Sequence, residues 1–209
     1  TNSFNSTTGN SIAFNKRMPY NLSEIFIGAG MIKRNRYLAR LVFLLAVTLI
    51  LELIGLPQPF TGPLVNMMLI LTALILGLSA GVGLGALTPI VALLRGQLPA
   101  MLAPMVPFIA VGNGLLVACF SLFGQKFRRA EGEGIAWGAA GLGLLLGAAA
   151  KAGFLYGSAL KLLPLIVGRS LPAHLIGMMA LPQFVTAVFG GLGALVLFRL
   201  IRLRYPLQF

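Results

Sequence analysis

Glu52, Asn66, Asn113, Lys151 and Gln183 each stand in a stretch of sequence that is otherwise apolar. Side chains of this kind are costly at membrane depth, about 2.5–3.5 kcal/mol for a charge at the centre of a helix, so each is a candidate for function. Arg95 and Gln97 add a short polar break, and Lys161 and His174 are further polar positions near the ends of apolar runs. One carboxyl group, two asparagine amides, a glutamine amide and amines suit noncovalent recognition of a small solute.

The same inventory argues against bond-making chemistry. Glu52 is the only acidic residue inside an apolar run, so no pair of carboxyl groups is available for acid–base work, and no H-E-x-x-H or G-x-S-x-G pattern occurs. One histidine and one cysteine, His174 and Cys119, exclude a multi-histidine or cysteine-cluster metal site and an intrachain disulfide. None of the five lysines lies in a phosphate-binding G-x-x-x-x-G-K-[ST] sequence, so ATP-driven work would need a motor on another subunit. The chain reads as a non-enzyme with no cofactor of its own.

The elements that must position these residues follow from composition. With 58% hydrophobic residues among 209, only 10% charged and a mean hydropathy of +0.94, the chain reads as an all-α integral membrane protein. The net charge of +12 would suggest nucleic acid in a soluble protein. Here the basic residues cluster beside apolar runs, at Lys33 to Arg40, Lys126 to Arg129 and Arg199 to Arg204, which marks cytoplasmic anchors.

Spans are expected at 37–56, closed by Pro57 and Pro59, and as a hairpin within 63–94 that turns near Gly81. Further spans are expected at 98–122, 135–167 and 173–200. Reading 63–94 as one helix would place the later basic clusters opposite the basic N-terminal flank. Reading it as two puts all of them on one side. The expectation is therefore six transmembrane helices with both termini cytoplasmic.

Residues 1–36 read as a polar tail with a short interfacial helix after Ser23, 37–204 as the membrane domain and 205–209 as a C-terminal tail. The opening residues lack the apolar core of a signal peptide. On this topology Glu52, Asn66, Lys161, His174 and Gln183 fall in the outer half of the membrane. Pro99, Pro104 and Pro107 make 98–122 an irregular wall beside them, with Asn113 deeper. Small residues at Ala139, Gly143 and Gly147, and at Ala187, Gly191 and Ala194, form ridges for close helix packing.

The order of these features resembles a known family. A basic-flanked first helix, Gly62-Pro63-Leu-Val-Asn66, Leu76-Gly-Leu-Ser-Ala-Gly-Val-Gly-Leu-Gly85, Gly112-Asn113, Lys151-Ala-Gly-Phe-Leu-Tyr156 and Leu181-Pro-Gln183 are similar to the substrate-binding S component of energy-coupling factor (ECF) transporters. The resemblance covers about residues 37–204. It implies six helices around a vitamin-like or metal-related solute near the outer face of a prokaryotic plasma membrane. It also implies partners: a transmembrane T component and two cytoplasmic ATPases. The first helix departs from the family's alanines four apart, since Phe43 follows Ala39 and Ile50 follows Ala46.

On this reading Asn66, Asn113, Lys151, Gln183, Arg95 and Glu52 contact the solute, with Arg95 and residues 57–62 as a gate. Each residue also has a plainer role. Glu52 could pair with Lys161 or Arg95, and the asparagines could bond neighbouring helices or the carbonyls freed by Pro63 and Pro107. The alternative for the whole chain is an assembly subunit that packs through its glycine ridges and binds no solute. A membrane-embedded enzyme acting on lipid-linked substrates is a third reading, disfavoured by the scarcity of Asp, Glu and His.

Overall fold

The structure, a computed structural model, describes residues 22–129, 133–168 and 170–204. The polar opening 1–21, residues 130–132 of the basic loop and the tail 205–209 lie outside the described residues, as do the side chains of Lys126, Arg128 and Arg129. The chain divides into two compact units, Thr1–Arg36 and Tyr37–Phe209. In the first, residues 22–36 are helical, a longer helix than the short interfacial one expected after Ser23.

Helix α1, Leu22–Leu53, continues into the second unit, and the described residues that follow form helices and turns without a strand. They are α2 Gln58–Leu76, α3 Leu78–Leu94, a 3-10 turn Ala100–Met105, α4 Val106–Arg129 and α5 Glu133–Gly157. A π turn Ser158–Leu162 leads into α6 Leu163–Val167, and α7 Ala173–Met178 precedes α8 Leu181–Arg204. Among the described residues, four stretches are long and apolar enough to cross a membrane: Gln58–Leu76, Ala100–Gly124, Ala136–Val167 and Ala173–Arg204. Helix α3 is a shorter apolar helix. The protein is a multi-pass helical membrane protein.

The hairpin expected near Gly81 turns at Gly77 instead. Gly77 has φ of 100°, a conformation that glycine adopts without a steric penalty, and it alone separates α2 from α3. Gly81 is used differently: a Cβ there would meet Val117 Cγ1 at 2.9 Å, Ala73 Cβ at 3.0 Å and Leu69 O at 3.2 Å. Its missing side chain lets α3 lie against both α2 and α4.

Prolines shape the remaining departures from plain helix. Pro99 and Pro104 replace the first turns of the expected fourth span by the 3-10 segment. Before Pro164 the helix widens, and the Leu163 N–H donates to Ser158 O five residues back. The expected sixth span is broken between α7 and α8 around Met179 and Ala180, one residue before Leu181-Pro182.

Among the described residues two apolar cores result. Leu69, Ile70, Leu116, Phe120, Leu144 and Phe198 belong to one, where α2, α4, α5 and α8 meet. Leu102, Met105, Leu155, Leu163, Leu175 and Met179 form the other, built on the 3-10 and π turns. Glycines set the spacing in the first. A Cβ at Gly147 would lie 2.8 Å from Leu116 O, and one at Gly143 would lie 2.8 Å from Phe123 Cβ. One at Gly190 would collide with Pro63 O and come within 2.8 Å of the Met67 nitrogen, while one at Gly191 would collide with Leu144.

Backbone atoms cannot yield as side-chain ends can. Gly190→Val is therefore expected to destabilise the purified protein by about 1–3 kcal/mol or more. Gly83→Val, where no atom lies within 4 Å, should leave it nearly unchanged. Thermal midpoints of the two variants in the same detergent check this contrast.

Candidate functional site

The second unit encloses a cavity of about 400 Å3. Exposed Gly55, Pro57, Gln58 and Gly96 border one part of it, and buried Asn66, Thr88, Asn113 and Lys151 border another. The first group forms a mouth and the second a polar floor. Val65, Ile109, Leu98 and Met179 supply apolar wall between them, drawing on both cores.

The floor begins with a proline. Pro89, inside α3, has no N–H to give to Gly85 O, the acceptor one turn earlier. Asn113 of α4 takes that place, with Nδ2 donating to Gly85 O at 2.9 Å and lying 3.3 Å from Thr88 Oγ1. The Thr88 hydroxyl also reaches Gly85 O, at 3.4 Å. Glycine is required at 85, because a Cβ would come within 2.9 Å of Asn113 Cβ. Of the two plainer roles open to Asn113, a bond to a neighbouring helix and a bond to the carbonyl freed by Pro107, it takes the first, and the carbonyl it serves is the one freed by Pro89.

A second network crosses three helices. Lys151 Nζ of α5 donates to Asn66 Oδ1 of α2 at 2.7 Å, and Asn66 Nδ2 donates to Thr186 Oγ1 of α8 at 3.4 Å. The Thr186 hydroxyl in turn donates to Gln183 O at 3.2 Å. Lysine has donors only, so it fixes the direction in which the Asn66 amide points. The Gly147–Leu116 contact sets the level: one turn further along this antiparallel pair stand Lys151 on α5 and Asn113 on α4.

Lys151 is only 3% exposed, and Asn66 Oδ1 is its partner among the described residues. One hydrogen bond to a charged group contributes about 1.5–3 kcal/mol, roughly the insertion cost of the lysine itself. An ammonium has three donors, so two remain for whatever occupies the cavity.

Glu52, at the end of α1, is 2% exposed, and its Oε2 has no hydrogen-bond partner among the described residues. The alternative pairing with Arg95 or Lys161 is not formed. Arg95 sends Nε and Nη2 to Leu53 O at 3.2 and 2.8 Å, and Gln97 Nε2 donates to the main-chain oxygen of Glu52 at 2.9 Å. These donors close the carbonyl end of α1, as helix ends require, and leave the carboxyl group to the cavity. Lys161 is exposed on the π turn.

Of the residues singled out from the sequence, Glu52, Asn66, Asn113, Lys151 and Gln183 line this one cavity, and Gln97 lies beside them. Arg95 does not line it and acts on the adjoining loop, while His174 is exposed elsewhere. Thr61, Thr88 and Gln58 also line it and were not singled out. Threonine is common in apolar helices, so nothing in its type draws notice. The signal for Thr88 was its place beside Pro89, a proline inside a short apolar helix.

Comparison of the chain with protein-family models, with curated proteins and with solved structures finds no match. The geometry by itself defines a class, a multi-pass helical membrane protein with a polar-floored cavity open at one end.

Replacing Asn113 by Leu leaves Gly85 O only the long contact from the Thr88 hydroxyl and is expected to cost about 1–3 kcal/mol. Adding Pro89→Ala restores a backbone N–H to that carbonyl. The double variant should recover most of the lost stability, as read from unfolding midpoints of both proteins in detergent.

Proposed function

We propose that this chain captures a small solute at the outer face of a prokaryotic plasma membrane and passes it to a partner-driven importer, as the S component of an ECF transporter does. The observation that carries this reading is the cavity. Its volume of about 400 Å3 falls within the range of about 300–1,000 Å3 typical of small-molecule sites, and its mostly apolar wall with a few converging polar groups is the usual composition of such sites.

Topology supports the same reading. The mouth is built from the C-terminal ends of α1 and α3, the start of α2 and the turn before α4. The basic residues Arg128, Arg129, Arg202 and Arg204 belong to the opposite ends of α4 and α8, and Arg40 lies along α1 well before the end that borders the mouth. With basic ends on the cytoplasmic side, the mouth opens outward, and six spans with both termini inside follow if α1 and α3 also cross. The chain carries no phosphate-binding loop sequence, so a T component and ATPases would supply the energy. The assembly-subunit alternative loses ground because Gly143, Gly147, Gly190 and Gly191 pack against the chain's own helices and are not left over for a partner.

The test is recovery of the solute. Protein purified in mild detergent should release a bound small molecule detectable by mass spectrometry, and that compound should rebind in titration. Gln183→Ala should weaken rebinding about tenfold, about 1.4 kcal/mol, with the unliganded midpoint unchanged. A protein that arrives empty and ignores all small solutes would defeat the proposal.

A further inference from the structure

Two buried groups at the cavity have unspent hydrogen-bonding capacity of opposite sense. Glu52 Oε2 accepts from nothing among the described residues, although Arg95 and Gln97 are close enough to bond the main chain of residues 52 and 53. Lys151 Nζ gives one hydrogen bond, to Asn66, and keeps two donors. Both side chains border the same cavity, and a buried polar atom left unsatisfied costs about 1–3 kcal/mol, more where charge is involved. Whatever fills the cavity is selected by how well it answers both.

We infer that the cavity takes an amphoteric solute, which brings an acceptor such as a carboxylate to Lys151 and a donor such as an ammonium or N–H group to Glu52. This rests on the solute-capture reading and names its ligand class. A plain anion would satisfy Lys151 and set its charge in the same cavity as the Glu52 carboxyl group. A plain cation would do the reverse at Lys151. An uncharged alcohol offers one short polar group to two recipients. Only a molecule with both functions leaves neither side chain bare.

The remaining polar groups are compatible with this division. Asn113 spends its Nδ2 on Gly85 O and Thr88, while its Oδ1 is an acceptor by type on a residue that lines the same cavity. Gln183 contributes an amide, able to donate and to accept. The apolar wall of Val65, Ile109, Leu98 and Met179 would cover the carbon skeleton between the two ends.

The experiment is titration calorimetry on the full chain in detergent, freed of co-purified ligand. The probes are ω-amino acids of graded chain length and the n-alkyl carboxylates, n-alkylamines and n-alkanols of matching length. An amino acid of fitting length is expected to bind at least about tenfold more tightly than its three partners. Glu52→Gln should erase its advantage over the carboxylate, and Lys151→Met its advantage over the amine. If Lys151→Met does not fold, Glu52→Gln and the wild-type ranking decide. A carboxylate, amine or alkanol that matches every amino acid overturns the assignment and leaves solute capture standing. Absence of heat from all four series overturns it as well, and solute capture is then judged on the recovered compound alone.

Discussion

Gly85 O has lost its backbone donor to Pro89, and Asn113 supplies a replacement from the next helix. In hydrocarbon no water can take over such a carbonyl, so a proline inside a membrane helix is tolerated only where a neighbour provides the bond. Much of the site follows from that one requirement. It holds α3 against α4 at glycine distance, it places an amide at the cavity floor, and it brings Thr88 to the same wall. The proline that looks like damage to a helix is the reason a polar group stands there.

The second constraint is the burial of Lys151. Its bond to Asn66 ties α5 to α2, and the bond from Asn66 to Thr186 carries the link to α8. The glycine at 190 lets α8 approach α2 closely at Asn66, and the one at 147 seats α5 against α4. Packing and polarity are therefore not separate features here. Enlarging a glycine would move the helices apart and break the network, and removing the network would leave an amine in a dry interior.

The end of α1 shows a division of labour between main chain and side chain. Arg95 and Gln97 fasten the carbonyls of residues 53 and 52, which any residue at those positions would offer. The side chain of Glu52 takes no part in this and remains available at the cavity. A loop held through the backbone can stay in place while the carboxyl group beside it is engaged by a ligand. In the proposed capture function this separates holding the rim from recognising the solute.

Composition and spacing by themselves determined that the chain is helical and membrane-embedded, because long apolar runs in lipid have few other ways to satisfy their backbones. They also marked Glu52, Asn66, Asn113, Lys151 and Gln183, since the cost of a polar side chain at depth is a property of residue type and can be read without coordinates. Tertiary structure alone decided what each one does. It turned the hairpin at Gly77, because positive φ is needed there while Gly81 is needed for contact. It sent Arg95 to the Leu53 carbonyl and not to the Glu52 carboxyl group, and among the bonds open to Asn113 it selected the one to the carbonyl freed by Pro89 in the neighbouring helix. Partners distant in sequence meet only after glycine-lined faces have packed, and no local pattern encodes which carbonyl a given amide will reach.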